Sequence, residues 1–109
     1  MPVRELLAAL LLPLTLVGAD DGSVELTFQD PEIIESSGLA VVGDWLVTTN
    51  DSGDSGRVFV VDGTGATVGT SAWSAEPRDV EALAPSGPTE VWVGDIGDNS
   101  GVRDSIQVT

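Results

Sequence analysis

Displaced against itself by 44 positions, the sequence aligns without a gap. Residues 35–56 lie over residues 79–100, and Leu39/Leu83, Ala40/Ala84, Gly43/Gly87, Val47/Val91, Asp51/Asp95, Gly53/Gly97 and Asp54/Asp98 coincide. A repeat of this length cannot bury its apolar residues alone and must stack against its neighbours. A period in the forties, carried by short strands, is the pattern of a β-propeller, with one four-stranded sheet per repeat.

The strands are read from period-two alternation and turn residues. Residues 24–29 alternate, with Val24, Leu26 and Phe28 on one face. Residues 38–42, 45–49, 57–61 and 66–73 follow as four strands. Gly43-Asp44 between the first two suits a two-residue hairpin of type II′, in which the first central residue has positive φ. Asp62-Gly63-Thr64-Gly65 is a second turn. No helical periodicity occurs after residue 19. Residues 105–109 look like the third strand of the second repeat. The expected fold is therefore all-β, about two four-stranded antiparallel propeller units, with 20–32 a leader or closing strand, 33–76 the first blade and 77–109 an incomplete second one. A propeller closes with four to eight blades, so the chain reads as a fragment of a larger one.

Residues 1–19 read as a secretory signal. Arg4 precedes an apolar run from Leu6 to Val17, and Val17-Gly18-Ala19 offers small residues for cleavage between Ala19 and Asp20. The run is shorter than the ~20 residues of a membrane span. The expectation is a secreted protein with no membrane attachment after the signal is removed.

Charge narrows the partners. The chain has 18 acidic residues against four arginines, with no lysine or histidine, for a net charge of −14. Loss of 1–19 removes Arg4 and Glu5, which leaves 17 acids and 3 arginines, still −14. Such a surface repels nucleic acid and anionic membranes. With no cysteine or histidine, disulfides, thiolate sites and Ser-His-Asp chemistry are excluded within the chain. What remains is carboxylate chemistry and hard cations, above all Ca²⁺.

In a propeller blade, the loop into the first strand and the loop between the second and third strands emerge at the same end, around the mouth of the channel. Glu35, Ser36 and Ser37, then Asp79 and Glu81, occupy the first kind of loop. Asn50, Asp51 and Asp54, then Asp95, Asp98 and Asn99, occupy the second. Carboxylates crowded in this way repel unless a cation neutralises them. Ca²⁺ takes six to eight oxygen ligands. The expected ligand set is Glu35, Asn50, Asp51, Asp54, Asp79, Glu81, Asp95, Asp98 and Asn99. The same Asp-x-Gly-Asp loops also read as hairpin turns whose aspartates bond their own backbone. Trp45, Trp73 and Trp92 read as packing between blades, and Arg57, Arg78 and Arg103 as partners of nearby acids.

Four segments in order, Glu35-Ser36-Ser37-Gly38-Leu39-Ala40, Asn50-Asp51-Ser52-Gly53-Asp54, Asp79-Val80-Glu81-Ala82-Leu83-Ala84 and Gly94-Asp95-Ile96-Gly97-Asp98-Asn99, resemble an uncharacterised family of secreted actinobacterial β-propeller proteins over residues 33–109. Many members carry Asp-Trp-Glu-Asp where this chain has Asp79-Val80-Glu81-Ala82, one acid fewer. The family is similar, distantly, to calcium propellers of the gluconolactonase and paraoxonase kind. That resemblance implies calcium held at a channel mouth by acids and asparagines.

Three functional expectations follow. The first is a calcium-binding, ligand-binding propeller module whose ligand, small molecule or protein, the sequence does not name. The second is a calcium-dependent hydrolase of the lactonase or phosphoesterase type, with a carboxylate such as Glu35 or Asp79 as base. The third is a structural or adhesive repeat protein without metal.

Overall fold

The computed structural model describes residues 21–109. The expected signal segment and its cleavage position, Ala19–Asp20, lie outside the described residues. Among those residues there are strands and turns but no helix.

β1 (Ser36–Val42), β2 (Trp45–Asn50), β3 (Arg57–Val61) and β4 (Thr67–Ala72) form one antiparallel sheet in sequence order. β5 (Val80–Pro85), β6 (Val91–Asp95) and β7 (Gln107–Val108) form a second. The first hairpin closes where Val42 pairs with Trp45 across Gly43-Asp44. Gly43 has φ +60° and Asp44 is not in the left-handed region, as a type II′ turn requires.

The two sheets repeat each other in detail. Each first hairpin carries one irregularity, between Ser36 and Gly38 in one and between Val80 and Ala82 in the other, 44 residues apart. In the first sheet Ser36 pairs with Asn50, and in the second Val80 pairs with Asp95. The structural counterpart of Asp95 is therefore Asn50 and not Asp51. The cause is the second hairpin, in which Ser86 and Glu90 bond across Gly87-Pro88-Thr89. It is one residue longer than the Gly43-Asp44 turn, so first strands match at +44 and second strands at +45.

The segment expected as a leader strand, 24–29, forms no ladder. It half-buries Leu26 and Phe28 and leaves Val24 exposed. Its alternation thus reported a one-sided extended segment, which here is tied to the sheet by other means. Gln29 donates its backbone N–H to the Gly65 carbonyl (2.8 Å) and its side-chain amide to that of Thr64 (2.6 Å). Glu32 meets Arg57 at 2.8 Å, and the Arg57 guanidinium lies 4.7 Å over the Phe59 ring. The segment thus runs over the face that carries Arg57, Phe59 and Val61, and Phe59 and Val61 have no exposed surface.

The opposite face of the first sheet packs on the second. Val42, Val47 and Val58 join Val80 and Val93 in one buried cluster, with Trp73, Leu83 and Val91 against it. Burying each such side chain contributes roughly 1.5–3 kcal/mol. Ser37 adds a direct tie, donating its hydroxyl to the Val80 carbonyl. Trp73 packs as expected, whereas Trp45 and Trp92 stay about half exposed. A wedge of about 750 Å³ opens between the sheets at the hairpin end, lined by Val47, Val58, Trp73, Val91 and Val93 among others.

Candidate metal centre

The acidic loops sit at the other end. Asn50 and Asp95 each end the second strand of their sheet, opposite the first residues of β1 and β5. This pairing brings the loop into each first strand beside the loop that leaves the second. Asp51 N–H bonds the Glu35 carbonyl at 2.9 Å, and Ile96 N–H bonds the Asp79 carbonyl at 3.1 Å.

Three of the expected ligands converge. Asp51 from the first unit, with Asp79 and Glu81 from the second, places one carboxylate oxygen each within 4.8 Å of one another, an arrangement that could hold a metal ion. Asp79 is only 9% exposed. Oδ1 of Asp51 is fully enclosed and has no hydrogen-bond donor. A buried acceptor without a donor is costly, and a cation is one means of satisfying it. Asp51 lies beside Asp79 and, when protonated, donates a hydrogen bond to it. That hydrogen bond, together with desolvation and the charges of Asp79, Glu81 and Glu35, pushes its carboxyl up to about 6. Glu35 thus contributes to the field while remaining exposed.

Gly97 makes the approach possible. Its N–H bonds the Asp79 carbonyl at 3.0 Å, and a Cβ at this position would collide with the Asp79 carboxylate. Beside it lies a recess of about 200 Å³ lined by Ser52, Arg78, Asp79, Gly97, Asp98, Asn99 and Ser100.

Four of the remaining expected ligands are engaged elsewhere. Asn50 is buried, and its Oδ1 accepts the N–H groups of Ile34 (3.0 Å) and Glu35 (3.2 Å). Its Nδ2 donates to the Glu32 carbonyl and to Asp54, both at 2.8 Å. Burial alone would raise the Asp54 carboxyl. Arg57, Asn50 and the Ser55 N–H outweigh it and hold the group below its usual value. Asp95 follows the same pattern. Its carboxylate accepts the N–H groups of Arg78 (2.8 Å) and Asp79 (2.9 Å) and an ion pair from Arg103 at 2.8 Å. These contacts overcome the desolvation that would push it up, and its pKa is lowered. Asp98 accepts the N–H groups of Val102 and Arg103, the Arg103 contact first among the causes that lower its pKa. Asn99 is exposed at the rim of the recess.

Arg103, expected to partner a nearby acid, does so: its side chain is 5% exposed and locks Asp95. Its signal was a lone arginine five residues after an Asp-x-Gly-Asp loop. Of the other arginines, Arg57 pairs with Glu32 and Asp54. Comparisons with protein-family models, with curated proteins and with solved structures return no match for this chain.

Proposed function

We infer that the chain is a pair of β-propeller blades from a secreted calcium-binding module. Ca²⁺ bridges the two blades through Asp51, Asp79 and Glu81, and Asp51 carries the reading. It comes from one sheet, meets two acids of the next, and brings an enclosed oxygen that no protein group satisfies. Hard carboxylate oxygens without nitrogen or sulfur donors favour Ca²⁺ or Mg²⁺ over transition metals. The irregular, partly exposed donor set suits the more permissive Ca²⁺. Three protein ligands leave coordination positions for water or for an oxygen of a bound molecule, the basis of a ligand-binding role.

Isothermal titration with Ca²⁺ tests this. One ion per chain is expected, with Kd around 10⁻⁴–10⁻³ M, the range of extracellular modules. Asp51→Asn should abolish the binding. Absence of heat up to ~10 mM Ca²⁺ would leave the metal-free structural repeat as the reading.

One observation favours a second reading, the calcium-dependent hydrolase. The recess beside Asp79 also presents Arg78, so a carbonyl or phosphoryl oxygen on the ion would lie near a cation that binds anionic groups. Calcium-dependent turnover of lactone or phosphoester substrates, lost in Asp79→Asn while binding of Ca²⁺ to Asp51 persists in part, is its signature.

A further inference from the structure

In a chain where acids outnumber arginines 18 to 4, one arginine stands without a carboxylate partner. Of the three arginines among the described residues, Arg57 pairs with Glu32 and Asp54, and Arg103 pairs with Asp95. Arg78 gives its backbone N–H to Asp95, but its guanidinium makes no ion pair among the described residues. That side chain is exposed and borders the recess of about 200 Å³. Asp98 borders the same recess, yet its carboxylate is turned to the N–H groups of Val102 and Arg103. A guanidinium left unpaired offers its fork of donors to an oxyanion from outside the chain.

A second observation points into the same recess. Asp79 lines it and is only 9% exposed. No N–H of the described residues donates to its carboxylate. A carboxylate enclosed to this degree needs a cation or a donor. Asp79 also belongs to the acid trio with Asp51 and Glu81, so an ion held there stands at one wall of the recess. Loops of both units build these walls, and the outer faces of the two sheets play no part in them.

We propose that the recess takes the anionic end of a ligand, a carboxylate or phosphate group, with one oxygen on the Ca²⁺ ion and another on Arg78. This rests on the calcium reading above and names the class of ligand. Size limits what enters. About 200 Å³ is less than the roughly 300–1,000 Å³ of sites that enclose a whole small molecule, so the recess holds a group of a few atoms and the rest of the ligand stays outside. Ser52, Asn99 and Ser100, all exposed around it, offer hydroxyl and amide donors to further oxygens. Charge makes the ion obligatory. Without it an incoming anion meets Asp51, Asp79, Glu81 and Asp98, of which Arg78 offsets one, whereas Ca²⁺ offsets two more and binds the oxyanion directly. Linkage then requires the oxyanion to tighten Ca²⁺ binding by the factor by which Ca²⁺ tightens the oxyanion.

Isothermal titration of the full chain with Ca²⁺ decides it, run at pH 7 in sodium chloride, sodium acetate and sodium methyl phosphate at one ionic strength of about 0.15 M, with the Ca²⁺ bound by each anion in solution subtracted. At least one oxyanion is expected to lower the Kd for Ca²⁺ about fivefold or more relative to chloride, the low end of coupling between sites. An effect of acetate alone identifies a carboxylate ligand, and an effect of methyl phosphate alone a phosphate. Arg78→Gln, at an exposed position with circular dichroism to check the sheets, is expected to bind Ca²⁺ in chloride at least as tightly as the unaltered chain, because a nearby cation is gone, and to lose the gain from the oxyanion. Calcium binding with one Kd in all three salts, or an equal gain in Arg78→Gln, would overturn the proposal and leave the calcium reading standing. Absence of calcium binding in chloride would overturn both.

Discussion

Asn50 and Asp95 perform the same task in the two sheets with different charge. Each closes a second strand and accepts two successive backbone N–H groups, of Ile34 and Glu35 in one unit and of Arg78 and Asp79 in the other. The difference lies in the surroundings. Asn50 uses its amide protons on the Glu32 carbonyl and on Asp54, whereas Asp95 answers the nearly enclosed Arg103. Exchanging them is therefore not neutral. Asp95→Asn leaves the Arg103 cation enclosed without its counter-charge and should lower stability by about 3 kcal/mol. Asn50→Asp removes two donors and sets a second carboxylate against Asp54, a loss of about 2 kcal/mol or more. Urea midpoints of the two variants at neutral pH check both values.

Gly97 offers a way to disturb the candidate metal centre while every acid stays in the sequence. An added methyl group must push the Asp79 carboxylate away. Gly97→Ala should weaken Ca²⁺ binding about tenfold, in the range seen when supporting residues around metal ligands are altered. Titration of this variant with Ca²⁺ gives the measure. An unchanged affinity would show that Asp79 does not face the ion.

The acid pair sets a pH dependence of unusual sign. Asp51 has a carboxyl raised from 3.8 to about 6 in the folded protein, first by its hydrogen bond with Asp79. Between those values the folded chain holds more protons than the unfolded one, so stability in chelator falls as pH rises through that window. Asp54, Asp95 and Asp98 are lowered. They contribute stability that is present above about 3.8 and lost as pH falls below it. Melting in chelator should therefore be highest near pH 4–5 and decline towards pH 7. Asp51→Asn should flatten the decline on the alkaline side and leave the acid limb in place.

Much of the fold was legible in alternation and turn residues. Residues 57–61 were read as the strand that forms, and positive φ at Gly43 alone matches the hairpin read from Gly43-Asp44. The leader was legible only as a half-buried face, because alternation reports burial and not the ladder partner. The candidate site was legible as a set of acids at one end of the strands but not in its membership. Asp51 and Asp95 coincide in the ungapped repeat, yet one extra residue at Gly87-Pro88-Thr89 sets Asp95 opposite Asn50 in structure. Which aspartate stays free then depends on nearby unpaired N–H groups. Asp95 meets those of Arg78 and Asp79 and is consumed, while Asp51, one residue beyond Asn50, sets a carboxylate oxygen near Asp79 and Glu81 of the neighbouring unit.

In the proposed function a cation joins the two sheets through Asp51. Thermal unfolding of the unaltered chain and of Asp51→Asn at pH 7, in chelator and in Ca²⁺ at about ten times Kd, tests it most directly. Ca²⁺ is expected to raise the stability of the unaltered chain by about 1.4 kcal/mol and to leave Asp51→Asn unmoved. In chelator, Asp51→Asn should melt higher than the unaltered chain, because the repulsion with Asp79 and Glu81 is relieved. An equal response of both proteins to Ca²⁺, or none in either, would contradict it.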